Sequence, residues 1–125
     1  IEKMIPCYYL IKYLKNNYNL VNMYISTGTP QSKIVKILEQ KKILKYFKKV
    51  YGSPKLKINH IKEIKKNNKK SIFIGDSLED FKAAKHFRID FILKINSENL
   101  FLRKKIKLNT INSFKFLEKK IIQII

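Results

Sequence analysis

Apolar positions fall in short runs between polar, lysine-rich stretches, and the spacing switches between helical and strand-like along the chain. Tyr8 to Lys15 carries helical spacing, which Asn16, Asn17 and Asn19 break. Leu20 to Pro30 then reads as a strand running into Ser26, Thr27 and Gly28. Thr29 is placed as N-cap and Pro30 as first residue of a helix to Gln40, with Ile34, Ile37 and Leu38 on one face. A short helical turn follows through Leu44 and Phe47. Val50 and Tyr51 form a brief strand closed by Gly52, Ser53 and Pro54. Ile58 to Lys66 predicts a helix with Ile58, Ile61 and Ile64 inward and lysines outward. Ser71 to Gly75 predicts a strand, Leu78 to Phe87 a helix packing through Phe81, Ala84 and Phe87, and Ile89 to Leu93 another strand. Leu108 to Ile111 would be the last strand, after which Ser113 caps a closing helix through Ile125. Strands alternating with helices of this length predict an α/β fold on a parallel sheet. No repeat, linker or low-complexity tract interrupts the pattern.

Composition narrows the setting. With 125 residues and 45% apolar side chains, the chain is long enough for one domain with a real core. A single cysteine, Cys7, leaves no internal disulfide and points to a reducing, cytoplasmic compartment. No apolar run is long enough to cross a bilayer, and the start lacks the layout of a signal peptide, so no membrane association is expected. The formal charge of +19 invites a polyanion reading, supported by Lys62, Lys65, Lys66, Lys69 and Lys70 and by Arg103 to Lys105. Against it, Arg88 and Arg103 are the only arginines, whereas base-edge readout relies on arginine. Abundant Ile and Asn beside two alanines, Ala83 and Ala84, match an AT-rich coding bias that raises lysine without selection for binding. The lysines are read as solvated faces, with no specific nucleic-acid partner and only nonspecific polyanion binding at low salt.

The chemistry concentrates at Gly75, Asp76 and Asp80, where a strand delivers two carboxylates, four residues apart, to the start of a helix. Asp76 would leave the strand tip and Asp80 would rise from the first helical turn, so both can face one hard cation. Mg²⁺ takes one or two carboxylates and fills its other positions with water and phosphate. The competing explanation is that Asp76 caps the helix and Asp80 favours its positive end. At the end of the Leu20 to Pro30 segment, the Thr27 hydroxyl and the backbone N–H groups around Gly28 form a candidate phosphate cradle, with an ordinary strand-to-helix turn as the alternative. Lys57, just before the next helix, can offset negative charge there, although a solvated lysine is the default in so basic a chain.

In their order and spacing these segments resemble the haloacid dehalogenase superfamily of phosphohydrolases, over about Leu20 to Leu93. The resemblance implies a Rossmann-like three-layer α/β/α sandwich in which residues 20–125 are the core and residues 1–19 the helix returning from a cap. It places the phosphate-binding hydroxyl on Thr27, with Ser26 second, the lysine on Lys57, with Lys55 as fallback, and the Mg²⁺ ligands on Asp76 and Asp80. The substrate it implies is a small phosphorylated metabolite; dehalogenase and phosphomutase chemistry stay open. The family's catalytic Asp-x-Asp motif, whose first Asp forms an aspartyl-phosphate, has no counterpart here. The three aspartates are Asp76, Asp80 and Asp90, and none stands two residues from another. Two expectations follow from that departure. Either the chain is a fragment of a longer enzyme, lacking the first core strand and most of the cap, or it is a shortened, noncatalytic relative that binds phosphate or a partner. Because the family sheet places its first strand between those ending at Thr27 and Asp76, the isolated chain should be marginally stable or aggregation-prone.

Other candidates are weaker. His60 and His86 lack a second ligand at metal spacing and are read as surface or packing residues. Cys7 is expected to be a buried thiol, and Tyr8, Tyr9 and Tyr13 to pack the first helix. Arg88 stands where the family usually ends a helix with glycine, an unfavourable choice if the backbone turns left-handed there.

Overall fold

The computed structural model describes residues 8–68, 70–105 and 109–124. It divides into two compact units, Ile1–His60 and Ile61–Ile125, with the boundary inside one helix. The predicted Cys7 thiol lies outside the described residues. No lysine whose side chain is described is buried, and among the described residues no helix is long and apolar enough to cross a membrane.

In the first unit, α1 (Tyr8–Asn17) precedes β1 (Tyr24–Pro30), α2 (Gln31–Gln40), a 3₁₀ turn (Leu44–Tyr46), β2 (Lys49–Ser53) and the opening turn of α3 (Lys57–Asn67). β1 and β2 are parallel, pairing Tyr24 with Lys49, Ile25 with Val50 and Ser26 with Tyr51. The α2 face anticipated from its spacing is buried through Ile34, Ile37 and Leu38, against Leu14, Ile43, Tyr46 and Val50.

Several expectations need correction. Leu20 and Val21 are exposed and lie before the strand, because their N–H groups bond back to the Asn17 carbonyl in the turn that closes α1. Pro30 itself is the N-cap of α2, in extended geometry, so Thr29 is not the cap. Tyr8 and Tyr9 are exposed, and α1 packs through Leu14 with Leu10 and Ile11. On α3 Ile61 is buried and Ile64 packs half-buried against the same cluster, as expected, but Ile58 is exposed and His60 is buried as well: a strict three-residue interval drifts around a helix of 3.6 residues per turn.

The second unit runs β3 (Ile72–Gly75), α4 (Leu78–His86), β4 (Asp90–Lys94), α5 (Leu100–Lys105), β5 (Asn109–Ile111), a 3₁₀ turn capped by Ser113, and α6 (Leu117–Ile124). Its three strands are parallel in the order β3-β4-β5. Phe91, Ile92 and Leu93 are all buried, as expected for a parallel strand covered on both faces. Ala83, Ala84, Ile89 and Leu102 complete the core around Phe91 and Leu93.

Helices α2 and α4 end alike. The Ile43 N–H donates to the Leu38 carbonyl and Lys42 N–H to Glu39; likewise Ile89 N–H reaches Ala84, and Arg88 N–H reaches Lys85. Each pair is a Schellman closure, sealed by apolar contact between the residue after the turn and the last helical turn. The left-handed position falls on Lys42 (φ 59°) and Arg88 (φ 56°), so the strain anticipated at Arg88 is present.

Candidate functional site

The Asp76 loop is built from its neighbours. Ser77 is the N-cap of α4 and its hydroxyl accepts the Asp80 N–H at 3.1 Å. Capping therefore belongs to Ser77 and does not account for Asp76. Asp80, buried in the first turn of α4, accepts the Asp76 N–H on Oδ2 at 3.3 Å, so the structure brings the two predicted carboxylate residues together. Gly75 permits this approach: a Cβ there would lie 2.7 Å from both Cβ and Oδ2 of Asp80. Its φ is not positive, so space rather than backbone freedom requires the glycine.

On the other side of Asp76 stands a residue that the sequence reading missed. Asn99 is buried and its Nδ2 donates to the carbonyls of Asp76 and Lys94, both at 2.8 Å. Its Oδ1 accepts the Asn96 N–H at 2.8 Å, and Asn96 Oδ1 in turn accepts the N–H groups of Glu98 and Asn99. The Asn-Ser-Glu-Asn stretch signals a loop in sequence, but nothing in it points to Asp76.

Thr27 lies within β1, and Lys57 opens α3 beyond the carboxyl end of β2. After Ser26 the register of that pair is interrupted until Pro30 meets Ser53, and Thr27, Gly28 and Thr29 bulge out. Thr27 is buried, and its Oγ1 accepts the Thr29 N–H at 3.2 Å while lying 3.3 Å from the Thr29 hydroxyl. Gly28 is exposed and a Cβ on it would meet nothing within 4 Å.

Gln31, also missed, fills the ladder that the bulge leaves open. Its Nε2 donates to the Val50 carbonyl at 2.9 Å and its Oε1 accepts the Gly52 N–H at 2.6 Å. Gly52 packs so closely here that a Cβ would lie 2.6 Å from the Thr29 carbonyl oxygen.

Ser26, the second candidate for phosphate, is committed elsewhere. Successive strand residues point to opposite faces, and the Ser26 hydroxyl bonds His60 Nδ1 at 2.8 Å. His60 is fully buried, with Nε2 3.1 Å from the Gly52 carbonyl oxygen and its ring stacked on Tyr51. Burial, with the nearby charges of Lys55 and Lys57, holds the His60 pKa below its ordinary 6.5, against the raising effect of backbone bonds to Gly52 and Lys55. His60 is thus a packing residue, while His86 is exposed against Phe87. Lys57 opens α3 half-buried; the fallback Lys55 is exposed, 5.7 Å over the Tyr51 ring.

Parallel βαβ units with polar loops at the carboxyl ends of their strands define the class as Rossmann-like α/β. A family model described as haloacid dehalogenase-like hydrolase matches residues 6–94, and the chain belongs to that family. Among solved structures it is similar to a haloacid dehalogenase-like hydrolase from Streptococcus pneumoniae: 20% identity, TM-score 0.70, 88% of this chain and 57% of that one. It is also similar to a HAD-superfamily hydrolase from Ehrlichia chaffeensis, at 19% identity and TM-score 0.72, covering 90% of this chain and 56% of the other. A subfamily IA, variant 1 hydrolase from Geobacter sulfurreducens shares 14% identity at TM-score 0.70, with 90% and 59% covered. No curated protein matches the chain. At these identities the structural likeness establishes the fold, and this chain spans less than three-fifths of the length of the three solved chains.

Proposed function

We propose that the chain is the core of a Mg²⁺-dependent phosphatase acting, in its complete form, on a small phosphorylated metabolite. The observation that carries this reading is the Asp76–Asp80 arrangement, in which a glycine without room for a Cβ seats a buried carboxylate against the Asp76 backbone. Among the described residues no group of three or more His, Cys, Asp or Glu side chains forms a protein cage. Two carboxylates on one loop suit Mg²⁺, which keeps most of its water and is completed by substrate phosphate. Bound there, the ion would neutralise charge on phosphate oxygens. Asp76 and Asp80 would hold it, Thr27 with the Gly28 backbone would bind phosphate, and Lys57 would offset the negative charge. The nucleophilic carboxylate that splits the transfer through an aspartyl-phosphate is not among these residues, so the 125-residue chain is expected to be inactive alone.

The test is phosphate release from a generic aryl phosphate by the completed protein. Loss of activity in Asp76→Ala is expected, and activity that survives it removes the metal assignment. The missing Asp-x-Asp motif favours a second reading, a noncatalytic protein that binds phosphate or a partner. Calorimetry of the present chain with Mg²⁺ and inorganic phosphate tests it: binding without turnover in the completed protein supports it, and no heat of binding rejects it.

A further inference from the structure

We propose that Asn99 is a positioning residue for the Asp76 carboxylate, holding the metal loop in register before any ion arrives; this rests on the metal reading above. A side chain's direction is set by the two peptide groups that flank its Cα. For Asp76 both are restrained: its N–H donates to Asp80 Oδ2 at 3.3 Å, and its carbonyl accepts from Asn99 Nδ2 at 2.8 Å. The second bond matters more. The Asp76 carbonyl belongs to the peptide that leads to Ser77, so its rotation would also turn the residue that caps α4. Asn99 fixes that peptide against the exit of β4, because the same amide nitrogen donates to the Lys94 carbonyl at 2.8 Å. β3 and β4 are in register, Gly75 beside Leu93, so the bridge ties the residue immediately after β3 to the last residue of β4.

The chemistry is specific to an amide. One Nδ2 carries two hydrogens and serves two carbonyls, while Oδ1 is occupied by the Asn96 N–H at 2.8 Å, which fixes the orientation of the group. Aspartate would offer only acceptors to two carbonyl oxygens, and leucine would fill the volume without a donor. Outer-shell partners that orient metal ligands commonly change affinity by about 10-fold to 100-fold when removed.

The experiment uses the 125-residue chain and Mn²⁺ as a spectroscopic stand-in for Mg²⁺, with free Mn²⁺ read by electron paramagnetic resonance. Wild type should bind Mn²⁺, and Asp76→Asn should abolish binding. Asn99→Leu should weaken it about tenfold or more, and in metal-free protein should speed hydrogen exchange at the Asp76 amide. Leu102→Ala, which truncates a buried α5 side chain but keeps its backbone N–H bond to the Asn99 carbonyl, serves as the local stability control and should stay within about twofold of wild type, short of the loss expected for an outer-shell partner. Should Asn99→Leu fail to fold, Asn96→Ala decides: it removes the acceptor for the Glu98 and Asn99 N–H groups and should weaken Mn²⁺ about threefold.

Unchanged Mn²⁺ affinity in Asn99→Leu, or in Asn96→Ala where the former does not fold, overturns the proposal and leaves the metal reading standing. Equal weakening by Leu102→Ala also overturns it, because general destabilisation would then explain the effect. Absence of Mn²⁺ binding to the wild type removes the metal reading and this proposal with it.

Discussion

Replacing Gly75 by alanine tests whether the Asp76 loop is organised by close packing. The new Cβ would sit 2.7 Å from Asp80 Cβ and Oδ2 and 2.9 Å from Cγ. That is about 0.7 Å inside ordinary van der Waals contact, so Asp80 must withdraw or the strand tip must shift. The bond from Asp76 N–H to Asp80 Oδ2 is already 3.3 Å long and does not survive such a retreat. A hydrogen bond to a charged group contributes about 1.5–3 kcal/mol, and overpacking of one methyl costs about 1–3 kcal/mol. These overlap because one displacement causes both, so a net destabilisation of about 2 kcal/mol is expected. Urea unfolding monitored through the second unit measures it, alongside hydrogen exchange at the Asp76 amide and Mn²⁺ binding. The metal should bind about tenfold more weakly, equivalent to about 1.4 kcal/mol. Gly75→Ala with unchanged amide protection and unchanged Mn²⁺ affinity, beside an Asp80→Asn variant that loses both, would refute the packing argument.

Two further predictions concern strain and pH. Arg88→Gly should stabilise the second unit by about 0.5–1 kcal/mol, since the left-handed penalty for a side chain exceeds the extra unfolded-state freedom of glycine; Arg88 is exposed, so little packing is lost. Arg88→Ala, which keeps the Cβ, should give no comparable gain in the same urea titration, and equal gains would assign the effect to lost charge. Burial holds His60 neutral in the fold, whereas the unfolded chain titrates near the ordinary 6.5. Below that pH the unfolded state takes up a proton that the folded state refuses. Stability of the first unit should therefore be full above about 6.5 and fall as pH drops through it, levelling only once the folded imidazole also protonates. Unfolding midpoints across this range should lose that slope in His60→Gln and keep it in His86→Gln.

Periodicity carried the order and type of most elements, because α2, α4 and β4 each bury a face whose spacing is visible in the sequence. The Gly75, Asp76 and Asp80 cluster was legible because its contacts are local. Asn99 and Gln31 were not, since each amide reaches backbone groups 23 and 19 or 21 residues away, a relation that only the folded chain creates. α5 escaped for another reason: six residues, Leu100 to Lys105, are too few to display a helical period. Alternation turns Ser26 toward a buried histidine whose own role had no signal in sequence.

Among the described residues, the Thr27 bulge lies within, and the Asp76 loop leaves, a strand at the edge of its sheet. Among the described residues β1 pairs only with β2, and β3 only with β4. Burial follows the same gradient: Ile72, Phe73 and Ile74 are half-buried, whereas Phe91, Ile92 and Leu93 beside them are buried. A parallel strand with one open side has unpaired N–H and carbonyl groups and opens more readily than its covered neighbour. The loop bearing Asp76 thus hangs from an edge strand of its unit, and the clamp of Asp80 and Asn99 compensates at the tip for what the ladder lacks along the edge. The consequence is measurable by hydrogen exchange: amides of β3 should exchange at least about tenfold faster than those of β4, with Asp76 slower than the edge strand that precedes it. If β3 is as protected as β4, something other than the described strands covers that edge, and the argument that the loop depends on its two side-chain clamps fails.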